Sequence, residues 1–185
     1  MSELTVAARY AKSLIDLAGE QKIVEPVKND MDLFLQTLKT SPELKALIAN
    51  PIVPQQKKIK ILTELFSSKM NKASIGFFTL MVNKGRGDVL FATANEFINL
   101  YDIKNNIIHA SVVSATALSE ANKKTMIADI VAVTGGTVKL DAKVDSSLIG
   151  GFVLTVGDRQ VDTSIASDLH KLKKEFARRV VPVKN

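Results

Sequence analysis

The sequence predicts an α+β protein of two domains, a six-helix bundle followed by a small α/β domain. Apolar residues recur at spacings of three and four through the first half of the chain, which is the period of one helix face. Near Asn105-Asn106 the pattern changes, and runs rich in β-branched residues begin to alternate with helical ones. We therefore place the two domains at residues 1–105 and 106–185.

Proline, serine and glycine divide the first half into helices. An apolar stripe from Leu4 to Ala18 predicts the first helix, and a second follows Pro26. Ser41-Pro42 is typical of an N-cap and a first helical residue, and so predicts a short third helix.

Three more helices are predicted before the change of pattern. Pro54 opens the fourth, with Leu65 among its inward residues. The fifth runs from about Lys72 to Lys84 and ends at Gly85, a typical left-handed C-cap. The sixth begins near Asp88.

The second half is predicted as strand, helix, three strands and a final helix. The first strand spans about Ile107 to Ala115, and the helix after Ser119-Glu120 is expected to bury Val131, among others, before Gly135-Gly136 ends it. The remaining strands are Thr137–Val144, Gly151–Val156 and Gln160–Asp162, and the last helix carries apolar residues at helical spacing: Ile165, Leu169, Leu172 and Phe176.

Composition excludes several classes of protein. The chain has no cysteine, so it holds no disulfide, thiolate metal site or cysteine nucleophile. An acidic residue, Glu3, stands where a signal peptide needs positive charge, and no run approaches the roughly 18–20 apolar residues that cross a bilayer. We expect a soluble protein with no direct membrane insertion.

Candidate catalytic residues are sparse. His109 and His170 lie in no metal-binding spacing, and the paired glycines match no phosphate-binding motif. Asp145, Asp158 and Asp162 are explained as well by turns and helix caps as by acid–base chemistry. We expect no catalytic site, no metal and no cofactor, although a small enzyme with an unrecognised site remains an alternative.

The charge leaves a second alternative. The net charge is +6, and the basic clusters are Lys57-Lys58 with Lys60, Lys171 with Lys173-Lys174, and Arg178-Arg179. A basic two-domain nucleic-acid-binding protein would show these clusters, but the phenylalanines fall on apolar helix faces rather than beside the lysines, where bases would stack. A solvated face or an acidic protein partner explains the lysines equally well.

Interaction with another helix is the third possibility. The first helix is rich in alanine, which permits close approach of helices, and the segment Ile75 to Val82 is apolar nearly all round. One face of so short a bundle is surplus to its core, so a partner helix fits there. Packing of that face inside the bundle is the competing interpretation.

Three stretches carry a family resemblance. Ala8-Arg9-Tyr10-Ala11-Lys12-Ser13-Leu14, Asn83-Lys84-Gly85-Arg86 and the segment from Val144 to Asp158, continued by Val161-Asp162-Thr163-Ser164-Ile165, resemble the delta subunits of F-type ATP synthases. The mitochondrial relative of these is the oligomycin sensitivity-conferring protein. Ser146, Thr155 and Thr163 depart from the family's usual residues. The signature residues that match are Asp145, Leu148, Ile149, Gly150, Gly151, Gly157, Asp158, Asp162 and Ser164.

The resemblance implies a non-catalytic stator subunit. It implies an N-terminal six-helix domain that binds the N-terminal helix of an alpha subunit, and a C-terminal domain that meets the peripheral-stalk b subunits. The subunit would link the catalytic head to the membrane-anchored stalk and so support proton-driven ATP synthesis. The absence of a transit peptide implies a bacterial complex at the cytoplasmic face of the cell membrane.

The resemblance also places the alpha-subunit groove between the first and fifth helices. Carried onto this sequence, the candidate groove residues are Ala7, Tyr10, Ala11, Leu14, Ile75, Phe78, Thr79 and Val82. On this basis Val82→Asp or Phe78→Asp is expected to weaken binding of an alpha-subunit peptide while the bundle stays folded. The tail Arg178–Asn185 extends past the usual end of the family and is expected to be frayed or ordered by a partner.

Overall fold

The computed structural model describes residues 3–179 and the side chains of residues 3–176. Helices and one small sheet make up this part of the chain, so the predicted α+β class is confirmed. The chain divides between Asn105 and Asn106 into two compact units. The predicted tail from Val180 onward lies outside the described residues. Within residues 3–179 no helix is both long and apolar enough to span a bilayer.

The helical unit, which precedes Asn106, contains six helices within the described residues. They are α1 (Glu3–Glu20), α2 (Val24–Thr40), α3 (Pro42–Ala49), α4 (Gln55–Phe66), α5 (Lys72–Asn83) and α6 (Leu90–Lys104). α1 and α2 pack along α6, and α5 packs along α4. The core of the unit is aliphatic and aromatic, with Phe34 at its centre in ring contact with Phe66 and Phe78.

Local signals in the sequence set the ends of these helices. Asn71 caps α5, because its side chain accepts the N–H of Ala73. Gly85 follows α5 with a φ of +70°, and its N–H and that of Arg86 donate to carbonyl oxygens of the last turn. This is the hydrogen-bond pattern of a glycine C-cap, as the sequence predicts.

The second unit, the α/β unit, holds a four-stranded sheet of order β2-β1-β3-β4. Its elements are β1 (Ile107–Ser114), α7 (Glu120–Thr134), β2 (Thr137–Val144), a 3-10 turn (Ser146–Leu148), β3 (Phe152–Val156), β4 (Arg159–Asp162) and α8 (Ile165–Arg179). β1 and β2 are parallel, with α7 as the crossover between them. β3 pairs antiparallel to both β1 and β4.

One face of the sheet is apolar and the other is polar. Ala110, Val112 and Ser114 of β1 are buried on the first face, and α7 packs against β2. The other face carries His109 beside Lys139, in register across β1 and β2. The alternation along β1 follows the two-residue period of a strand.

Three predicted inward or surface positions are wrong. Leu65 and Val131 were predicted to be buried, but both side chains are substantially exposed. Lys58 was predicted to lie in a basic surface cluster, yet only 6% of it is exposed. Its ammonium group donates to the carbonyl oxygen of Ile48 at 2.7 Å, in the last turn of α3, and that hydrogen bond compensates its burial.

Candidate docking surfaces

The structure turns most of the predicted groove residues toward the core. Ala7, Ala11, Leu14, Phe78 and Val82 are each no more than 1% exposed. They pack inside the helical unit, so in this conformation they offer no surface to a partner helix. Tyr10, Ile75 and Thr79 are half-buried. The groove and its residue assignment stay predictions, which these contacts do not test.

Burial changes the effect that is expected of the two aspartate substitutions. Phe78 stacks against Phe34 at a ring-centroid distance of 4.5 Å, and Val82 is fully enclosed. An aspartate at either position would bury an unpaired carboxylate. Phe78→Asp and Val82→Asp are therefore expected to unfold the helical unit rather than to report on binding.

The outward face of α5 forms one side of a cleft with α1. The cleft has a volume of about 460 Å³ and is lined by Leu17, Gln21, Asn71, Lys72, Ala73, Gly76, Phe77 and Leu80. On α5 the lining residues recur at spacings of three and four, which places them on one helix face. Leu17 and Leu80 are 41% and 48% exposed, so each keeps an apolar surface uncovered by this chain.

Two features of α5 shape the floor of this cleft. The ring of Phe77 meets that of Tyr10 of α1 edge-on, with centroids 6.4 Å apart, which joins the two helices at this point. Gly76 lies beside Phe77, and a Cβ atom there would meet nothing within 4 Å. Another backbone can therefore approach α5 closely at Gly76.

A buried carboxylate fixes the start of α5. Asp30 of α2, which is almost fully buried, accepts the N–H of Asn71 at 2.9 Å and the hydroxyl of Ser74 at 2.6 Å. A negative charge at a helix N-terminus is also favoured by the helix dipole. Asp30 thus sets where α5, and with it one wall of the cleft, begins.

Two glycines of the C-terminal signature, Gly150 and Gly151, pack closely against the start of α8, and we call this contact the clasp. The Gly150 carbonyl oxygen accepts the N–H of Ile165 at 3.1 Å, and a Cβ atom on Gly150 would come within 2.5 Å of the Ile165 Cδ1. Gly151 has a φ of +75°, and a Cβ atom there would overlap the carbonyl of Thr163. Both glycines are required because α8 is held this close to the chain before β3.

Two carboxylates of the signature act as caps. Hydrogen bonds from the Ser147 hydroxyl and N–H lower the pKa of Asp145. The hydroxyl of Ser167, followed by the N–H of Ser164, lowers the pKa of Asp162 to about 2. Asp158 lies with Gly157, whose φ is +56°, in the turn between β3 and β4. Their placement is that of turn and cap residues.

The last helix presents an uncovered apolar stripe. Ile165, Leu169, Leu172 and Phe176 follow at spacings of four, three and four, and each is about half exposed. Lysines and acidic residues flank the stripe, and Lys171 pairs with Asp168 at 3.0 Å. α8 is therefore amphipathic, with its apolar face open along the described residues.

No cluster of His, Cys, Asp or Glu able to hold a metal is found among the described residues. His109 and His170, the two histidines, lie exposed on β1 and α8, which belong to different parts of the α/β unit. Within the predicted basic cluster of Lys57, Lys58 and Lys60, the ammonium group of Lys58 donates a hydrogen bond to the carbonyl oxygen of Ile48.

Comparison with known proteins decides the family. The family model described as ATP synthase delta (OSCP) subunit matches residues 6–176. The chain belongs to the ATP synthase delta (OSCP) subunit family. It is therefore a delta-type subunit of an F-type ATP synthase, a component of the peripheral stalk, and the nucleic-acid-binding alternative is not supported.

Relatives of the delta family match along nearly the whole chain. The ATP synthase subunit delta of Cytophaga hutchinsonii is 36% identical over 98% of this chain and 99% of its own length. That of Flavobacterium johnsoniae is 33% identical over 96% and 99%. A chain of the Toxoplasma gondii mitochondrial ATP synthase shares the fold, with a TM-score of 0.73 at 23% identity, over 96% of this chain and 98% of that one.

The sequence contained a signal for some of the residues that prediction missed. Ala73, Gly76, Phe77 and Leu80 form a second stripe on a helix already recognised as apolar nearly all round. Asp30 also carried a signal, because it follows Val27 by three residues and precedes Phe34 by four, which places it on the buried stripe of α2.

Proposed function

We propose that this delta-type subunit is a non-catalytic joint of the stator, with one docking surface on each unit. The helical unit binds the N-terminal helix of an alpha subunit in the cleft between α1 and α5. The α/β unit binds the peripheral-stalk b subunits. The observation that carries the proposal is the apolar cleft that α1 and α5 leave uncovered.

The cleft has the chemistry that an amphipathic helix needs. Leu17, Phe77 and Leu80 supply apolar surface, and burial of such surface contributes roughly 25 cal/mol per Å² before association costs are subtracted. Gly76 lets the backbone of the partner come close. Gln21 and Lys72 lie at the polar margin, where they are able to pair with the partner's hydrophilic face.

The stripe of α8 supports the second contact. Its heptad-like spacing suits the knobs-into-holes packing of a long stalk helix. The clasp at Gly150 and Gly151 holds the root of α8 at a fixed point of the α/β unit. A stator joint needs such fixed geometry, because it must resist the drag that rotation exerts on the catalytic head.

The carboxylates of the signature fit this non-catalytic role. Asp145 and Asp162 have lowered pKa values because hydroxyl and N–H groups of the serines that follow them donate hydrogen bonds to their carboxylates. A carboxylate that accepts several hydrogen bonds in its charged form is a poor proton acceptor near neutral pH. As part of a stalk, the subunit would act at the cytoplasmic face of a bacterial cell membrane, held there by its partners.

A glycine substitution tests the cleft without disturbing the core. Gly76→Leu fills the cleft from open space and favours the helix by roughly 0.5–1 kcal/mol, so the helical unit should become slightly more stable. Calorimetric titration with a synthetic peptide of the alpha-subunit N-terminus from the same organism should show saturable one-to-one binding to the natural chain. The variant should bind at least about tenfold more weakly.

Gly19→Leu is the matched control. Gly19 lies on α1 with nothing within 4 Å of its Cβ position, and it points away from the neighbouring cleft residues Leu17 and Gln21. This variant should gain similar stability and keep full peptide affinity. Equal affinity of Gly76→Leu and the natural chain would remove the α1–α5 cleft as the binding site.

A further inference from the structure

Ile149 occupies a backbone conformation that an isoleucine rarely adopts. Its φ and ψ are 66° and −43°, and the N–H of Gly150 donates across it to the carbonyl oxygen of Leu148 at 2.7 Å. This is the strained form of the γ-turn, with positive φ. A β-branched residue at positive φ is an outlier, whereas glycine adopts such a φ without steric cost.

The side chain of Ile149 contributes little to its own unit. It is 64% exposed, whereas the preceding Leu148 is half-buried. The fold therefore bears the strain of a β-branched residue without burying its side chain. Backbone strain of this kind clusters at binding and switch sites, which points to a function of Ile149 outside the packing of its own unit.

Ile149 stands at the root of the α8 stripe. Its neighbour Gly150 lies against Ile165, the first residue of the stripe, as the short distance from a Cβ atom on Gly150 to Ile165 shows. The stripe continues through Leu169 and Leu172 at coiled-coil spacing. Ile149 is thus next in the chain to the residue that meets the first member of the stripe, and its side chain is exposed to a partner that docks there.

The charges beside the stripe indicate the nature of the occupant. Along the exposed part of α8, Lys171, Lys173 and Lys174 outnumber Asp168 and Glu175. A helix with apolar residues at heptad spacing and acidic flanks would match both the stripe and its basic margin.

We propose that Ile149 is an anchor residue for such a partner helix, and that its strained conformation is retained because the side chain is needed there. The inference rests on the proposed docking of the stalk on the α/β unit and names a residue outside α8 for it. The contact made by Ile149 would bury an aliphatic side chain that the free protein leaves in water.

Paired substitutions test the anchor. Ile149→Gly removes both the side chain and the strain, and Ile149→Ala removes the side chain but keeps a Cβ atom at positive φ. The full chain carrying each would be titrated with the purified soluble part of the b subunit from the same organism. Both variants should bind the stalk fragment about tenfold more weakly than the natural chain. The melting temperature of Ile149→Gly should be no lower than that of the natural chain and higher than that of Ile149→Ala.

Ile103→Ala is the control, since Ile103 is also largely exposed but lies on α6 of the helical unit. It should leave stalk affinity unchanged. Natural affinity in both Ile149 variants would overturn the inference, and so would a clear loss of melting temperature in Ile149→Gly, because the side chain would then stabilise its own unit. If the natural chain fails to bind the stalk fragment, both the proposed stalk contact and this inference are overturned. If the natural chain binds and only the Ile149 variants bind more weakly, both are supported.

Discussion

At the scale of single residues, the Tyr101 hydroxyl provides the clearest electrostatic prediction. It donates a hydrogen bond to Glu25, which together with burial raises the pKa of Tyr101 to about 12. The folded state therefore holds the phenol proton more tightly than the unfolded chain, whose tyrosine pKa is about 10. The stability that this gives is fully present below pH about 10 and is lost as the pH rises through about 12.

Absorbance titration of tyrosinate measures this directly. Tyr10 and Tyr101 are the two tyrosines of the chain, so a Tyr10→Phe variant isolates Tyr101. We expect a midpoint near pH 12 in the folded protein and one near pH 10 in urea. Tyr101→Phe should lose on the order of 1 kcal/mol of stability at pH 7. A folded midpoint near 10 would show that the hydrogen bond to Glu25 is not formed in solution.

The residue type and its place in the sequence were enough to predict some of these local features and not others. Gly85 was recognised because a glycine after an apolar helix is typical of a left-handed cap, and the structure gives it a φ of +70°. The burial of Lys58 and the positive φ of Ile149 were not predicted, because both depend on contacts with other segments of the chain. A sequence pattern reports the period of an element but not the tertiary neighbours of one side chain.

At the scale of elements, the strongest test concerns how α5 is anchored. Asp30→Ala leaves the buried hydroxyl of Ser74 and the N–H of Asn71 without their acceptor. We expect a loss of about 1–3 kcal/mol in the free energy of urea unfolding, since each unsatisfied buried group is costly. The double variant Asp30→Ala with Ser74→Ala should lose less than the sum of the two single changes.

Asp32 on the same helix is the matched control. Its ion pair with Lys28, at 2.6 Å, joins side chains that both reach solvent, so Asp32→Ala should cost less than about 1 kcal/mol. Similar losses for Asp30→Ala and Asp32→Ala would mean that Asp30 does not hold the start of α5.

Helix α5 also shows why the position of a helix in the chain was easier to predict than the face that it turns to the core. Its helical period and its caps at Asn71 and Gly85 are local, so its position in the chain could be predicted. Its inward face could not, because apolar residues surround the helix and only packing against α4 and α2 selects Phe78 over Phe77. The predicted groove residues lie on α1 and α5, and most of them face the core, while the groove itself stays a prediction.

At the scale of the whole molecule, the division between Asn105 and Asn106 predicts that the two proposed partners bind independently. Each unit has its own buried residues, and each proposed surface lies within one unit. Coupling between sites requires that each ligand shift a state common to both. The dissociation constant of the alpha-subunit peptide should therefore be the same with and without a saturating stalk fragment.

Two single variants make the same test. Gly76→Leu should leave stalk affinity unchanged, and Leu169→Asp should leave peptide affinity unchanged. A shift of more than about fivefold in either direction, matched by the reciprocal titration, would show instead that the joint transmits binding from one unit to the other.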